Sequence, residues 1–199
     1  MNYLVGYFKS IFMIRMLSNI SPVNLGLILV SVTIIDLIIL FLIRYFPDFW
    51  GKSINDWYNE FGLNAVIADV LSITLGFFIA QFLYSMFLQK TFGWNLTVFI
   101  GLLLIVQLIH DMFFYFGVIR PIPKGHNGMI DVFKAYAESG QSRILVADSA
   151  MMIGSALIAS LLSQLPTSVS LFVGTLAVYA VPYILTTRNR FTPQRGEEL

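Results

Sequence analysis

The alternation of apolar and polar positions divides the chain into long apolar runs separated by short polar breaks. Runs long enough to cross a bilayer as a helix, which takes roughly 20 residues, cover 25–43, 65–88, 94–119, 144–164 and 166–187. The last two are separated by Gln164-Leu165-Pro166-Thr167-Ser168, where proline and small polar residues favour a tight turn over one kinked helix. The pattern predicts five spans, or four if that break is only a kink. Two of the intervening segments have room for structure. Residues 45–63, YFPDFWGKSINDWYNEFGL, and 120–143, RPIPKGHNGMIDVFKAYAESGQSR, begin with Pro or Gly turn material and continue as short aromatic-rich amphipathic helices. Such helices suit the plane of the membrane interface. Residues 1–24 read as a similar N-terminal interfacial segment, and Ser21-Pro22 makes a helix start after it. The predicted fold class is therefore an all-α integral membrane protein.

The order of these elements reads as a unit used twice, a first helical-hairpin repeat over 25–88 and a second over 94–164. Tyr58-Asn59-Glu60-Phe61-Gly62 is followed by Ala68-Asp69, and Tyr136-Ala137-Glu138-Ser139-Gly140 by Ala147-Asp148. Each is preceded by a span carrying an aspartate near its end, Asp36 or Asp111, then by an arginine and a proline, Arg44 and Pro47 or Arg120 and Pro121. Two spans per unit return the chain to its starting side, so the repeats are parallel. An additional helix at 166–187 and a polar tail at 188–199 complete the chain. Gly62 and Gly140 are the expected ends of the two interfacial helices.

Composition supports the membrane class. Of 199 residues, 57% are apolar and only 12% charged, about half the charged share of a soluble domain. With no cysteine, disulfides and thiolate chemistry are excluded, and a net charge of +1 gives no reason to expect a nucleic-acid partner. The expected partners are membrane lipids and either further copies of the chain or the subunits of a membrane complex. With five spans, one side receives nine cations: Arg44, Lys52, Arg120, Lys124, Lys134, Arg143, Arg188, Arg190 and Arg195. The other receives Lys9, Arg15 and Lys90. The positive-inside rule then places the C-terminus in the cytoplasm and the N-terminus outside, in a cellular or a viral membrane. The sequons at Asn19 and Asn95 fall on the outer side, Asn95 too near the membrane for modification.

Asp36 and Asp111 lie about seven residues before their spans end, and Asp69 and Asp148 about four after theirs begin. At 1.5 Å per residue, all four fall roughly 5–12 Å inside one face. Carboxylates at that depth need protons, a cation or arginines. His126, in the loop on the same side, is within reach of this layer, as are Lys124 and Lys134. His110 is expected to point about 100° away from Asp111 on the helix. The candidate cation or proton site is Asp36, Asp69, Asp111, Asp148, His110 and His126, with a divalent cation as the possible cofactor because such ions take oxygen ligands.

Three readings follow. In the one the sequence slightly favours, the protein is a structural or accessory membrane subunit. Its aspartates then cap helix starts or pair with Arg44, Arg120, Ser72 or Ser149. In the second it is a cation- or proton-binding transporter or channel. In the third it is a metal-dependent membrane enzyme acting on a lipid-phase substrate. No catalytic motif is present, so no catalytic residue is assigned. Trp50, Trp57, Tyr45, Tyr58 and Trp94 read as interfacial anchors.

Overall fold

The computed structural model describes residues 22–50, 52–138 and 142–192. The N-terminal interfacial segment up to residue 21 with its Asn19 sequon, Gly140, the tail beyond 192, and the side chains of Tyr136, Glu138 and Arg143 lie outside the described residues. The regular structure of the described residues is all helical, with no strand among them.

Helix α1 (Pro22–Tyr45) starts on a proline, whose fixed φ suits a first helical turn and whose missing N–H is not needed there. A short α2 (Pro47–Trp50) and the amphipathic α3 (Lys52–Phe61) follow, then α4 (Leu63–Leu83). Gly62 joins the last two at φ 53°, its N–H bonded to the Tyr58 carbonyl at 3.1 Å. That backbone ends α3 and allows α4 to start at once. A π-helical turn (Tyr84–Leu88) carries α4 into the one-turn α5 (Gln89–Phe92). The gap at 89–93 between the second and third predicted spans is therefore mostly helix. Helix α6 (Leu96–Phe114) is capped by Asn95, whose side-chain oxygen accepts the N–H of Thr97 at 3.0 Å and of Val98 at 3.2 Å. A second π turn (Tyr115–Ile119) leads through a loop to α7 (Gly128–Glu138), α8 (Ser142–Leu162) and α9 (Thr167–Leu185). The break before Pro166 is a true turn.

Five helices are long and apolar enough to cross a membrane: Asn24–Tyr45, Leu63–Phe92, Leu96–Ile119, Leu145–Leu162 and Thr167–Leu185. Helix α1 is central, packed against α4, α8 and α9, while α4 and α8 also flank α6. Close approach needs small residues. A side-chain carbon on Gly154 would lie 2.7 Å from Ile35, and one on Gly174 would lie 2.5 Å from Val30. Ser155, Ala156 and Ala159 are fully buried beside them, so the small-residue face of α8 is its packing seam.

The ends of α1 and α6 and the starts of α4 and α8 share one end of the bundle, crossed by α3 and α7, which touch each other. The buried apolar residues form two clusters. One, around Ile28, Phe77, Phe99 and Met152, fills the bundle; the other, around Leu40, Ile43, Trp57, Tyr58 and Val66, lies under the crossing helices.

Candidate functional site

A cavity of about 280 Å³ opens where these two clusters meet. Its polar wall is Asp69 and Ser72 from α4, Gln107, His110 and Asp111 from α6, and Asp148 from α8. Trp50, Trp57, Tyr58, Phe114 and Phe133 supply aromatic surface. The aromatic side is held by ring contacts, with Trp57 5.0 Å from Phe133 and Phe133 edge-on to Phe114 at 6.0 Å. The short helices α3 and α7 thus place their aromatic faces over a carboxylate layer contributed by the long ones.

Each aspartate has a distinct setting. Asp69 accepts the Trp57 indole N–H at 3.1 Å and lies 2.9 Å from the Tyr58 hydroxyl. Asp111 accepts from the Gln107 amide at 2.9 Å on both carboxylate oxygens. Asp148 lies within electrostatic reach of both Asp111 and Asp69 and receives no hydrogen bond from the described residues. Asp36 is not part of the cavity wall. It is 1% exposed, behind Tyr58, and its Oδ1 lies 3.2 Å from the Tyr58 hydroxyl. Burial, then the neighbouring Asp69 and Asp36 carboxyls, push the Tyr58 phenol well above its ordinary value of 10.0. Its oxygen keeps its hydrogen at neutral pH.

Four cations of this end, Arg44, Lys52, Lys134 and Arg190, are engaged elsewhere. Arg44 is buried and donates to the Asn59 side chain and to the Leu185 carbonyl, at 3.0 Å for the latter. It thereby ties α1 to α3 and α9 and does not pair with Asp36. Lys134 donates to the Ile122 carbonyl, Lys52 pairs with Asp56 and Arg190 with Asp48. None of the ion pairs between described residues brings a lysine or arginine to the four aspartates.

Several local expectations change. His110 does not point away from Asp111: its Nδ1 lies 3.3 Å from Asp111 Oδ1, and both line the cavity. The two side chains bend toward each other through their χ torsions, across the angle that separates neighbouring helix positions. Asp69 is not a helix-start cap, because α4 begins six residues earlier at Leu63; its partners come from α3. His126 sits exposed in the loop before α7 and outside the cavity wall. Among the described residues no three His, Asp or Glu side chains come close enough to share one metal ion.

The site also uses residues that sequence reasoning gave other roles. Trp57 and Tyr58 read as interfacial anchors, yet they are 5% and 3% exposed and bond to carboxylates. Gln107 was legible in principle, since it stands four residues before Asp111, the spacing at which helix side chains meet. Comparison with protein-family models, with curated proteins and with solved structures finds no match.

Proposed function

We propose that this is a multi-pass membrane protein of transporter or channel type that binds a cation in the aspartate-lined cavity. The observation that carries the reading is the convergence of Asp69, Asp111 and Asp148 from three helices on one cavity with no lysine or arginine of the described residues paired to them. A role confined to packing leaves that concentration of negative charge without a purpose, because carboxylates in a low-dielectric site need a counter-charge. The ligand class is an organic ammonium ion. The carboxylates are too dispersed to coordinate one bare metal ion, whereas aromatic faces and carboxylates around one space attract a soft, weakly hydrated cation together. In this reading α1–α4 and α6–α8 are two copies of a parallel hairpin unit that frames the site. The cavity end, which also carries most of the cations, faces the cytoplasm.

Tetramethylammonium added to the purified chain in detergent should change the fluorescence of Trp50 and Trp57, which line the cavity, in a saturable way. Asp148→Asn should weaken that binding at least tenfold, the equivalent of about 1.4 kcal/mol. Magnesium should not reproduce the response. Absence of saturable binding by the wild-type chain would remove the reading.

A further inference from the structure

Tyr58 stands between two carboxyl groups, with its hydroxyl oxygen 2.9 Å from Asp69 Oδ2 and 3.2 Å from Asp36 Oδ1. A phenol has one hydrogen to donate. If both aspartates are ionised, two acceptors compete for it and one close oxygen–oxygen contact is left without a proton. Asp69 has a second donor in Trp57 and faces the cavity, whereas Asp36 is enclosed.

Among the described residues, the surroundings of Asp36 offer no other compensation. From α3 it meets Tyr58, and from α4 it feels Asp69. The titratable side chain described on α8, Asp148, interacts with Asp111 and Asp69. Those on α9, Tyr179 and Tyr183, are exposed and 3.0 Å from each other. Arg44, further along α1, is committed to Asn59 and Leu185.

We propose that Asp36 is an internal proton-binding site that Tyr58 connects to Asp69 and so to the cavity. In the resting arrangement Asp36 carries the proton and donates it to the Tyr58 oxygen, while Tyr58 donates its own hydrogen to the Asp69 carboxylate. Every short contact is then a hydrogen bond. The inference rests on the cation-binding reading for its role. A cation arriving beside Asp69 favours carboxylates over carboxylic acids. The Asp36 hydrogen passes to Tyr58 as the Tyr58 hydrogen passes to Asp69, and Asp69 releases it to the cavity. One positive charge enters and one proton leaves, Tyr58 is restored, and both carboxylates end ionised. The cavity thereby exchanges a cation for a proton.

Two measurements test this separately from the binding reading. Without ligand, infrared spectroscopy of the full chain in detergent should show a protonated-carboxyl carbonyl band that Asp36→Asn removes and Tyr58→Phe shifts by taking away its hydrogen-bond partner. A band unaffected by both substitutions, or no band at all, overturns the proposal whether or not a cation binds. Should Asp36→Asn fail to fold, the shift in Tyr58→Phe decides. With tetramethylammonium in weakly buffered solution containing a pH indicator, the wild type should release one proton per cation bound and Asp36→Asn should bind without that release. Cation binding with no proton released by the wild type, or with equal release by Asp36→Asn, overturns the exchange and leaves the binding reading standing.

Discussion

Tyr58 shows how far one side chain is from its generic role in this protein. An aromatic at a membrane interface is ordinarily an anchor, but this one is buried, with its hydroxyl set between two carboxyl groups. Its raised phenol affinity for a proton, caused by burial first and by Asp69 and Asp36 next, has a consequence for stability. Below its ordinary value of 10.0, Tyr58 is protonated folded or unfolded and its contribution is complete. As pH rises past that value, only the unfolded chain loses the proton, so stability falls until the folded phenol titrates in turn. Alkaline unfolding monitored by circular dichroism should therefore be shallower in Tyr58→Phe than in the wild type. Arg44 supports a second residue-level prediction. Arg44→Met strands the Asn59 and Leu185 acceptors that it bonds, and should cost roughly 2 kcal/mol in chemical unfolding in detergent.

Among the elements, α1 determines how closely its neighbours pack. It is predominantly apolar, with Asp36 and Arg44 as its charged residues, and α8 and α9 approach it through Gly154 and Gly174. Gly174→Val places methyl groups against Val30, where even one added carbon would lie at 2.5 Å. Overpacking of this kind costs about 1–3 kcal/mol, so the variant should unfold at correspondingly lower denaturant, or lower temperature, than the wild type. The two short helices work differently. They contribute few residues to the bundle core, yet Trp57, Tyr58 and Phe133 from them line the cavity. Most of that aromatic surface therefore depends on α3 and α7 lying across the bundle end.

For the whole molecule, five crossings in the proposed reading put the segment before α1 and the segment after α9 on opposite sides of the membrane. The chain has no cysteine, which makes single introduced thiols clean reporters. Lys52, on α3 before the Leu63–Phe92 helix run, and Thr91, at the far end of that run, are both exposed. With the cation-rich end in the cytoplasm, an impermeant maleimide applied to intact cells should label Thr91→Cys, and should label Lys52→Cys only after permeabilisation. Labelling of both from one side would contradict the five-span arrangement, and the reverse pattern would contradict its orientation.

Helix number and most limits, though not the extension of the second span to Phe92, were legible because they follow from properties that repeat along the chain: apolar length, a proline at Pro22, a glycine at Gly62 and a break before Pro166. The same arithmetic put the aspartates at one level of the bundle, and Asp69, Asp111 and Asp148 line one cavity there. The sequence by itself determined which chemistry lies at one end of the bundle, since rise per residue and span length convert position into depth. Only the tertiary structure decided who faces whom. Rotation about a helix axis and tilt between helices depend on close contacts such as those of Gly154 with Ile35 and Gly174 with Val30, which the linear order of residues does not specify. Those angles gave Arg44 to Leu185 instead of Asp36, and put the hydroxyl of Tyr58 between two aspartates that are 33 positions apart in the chain.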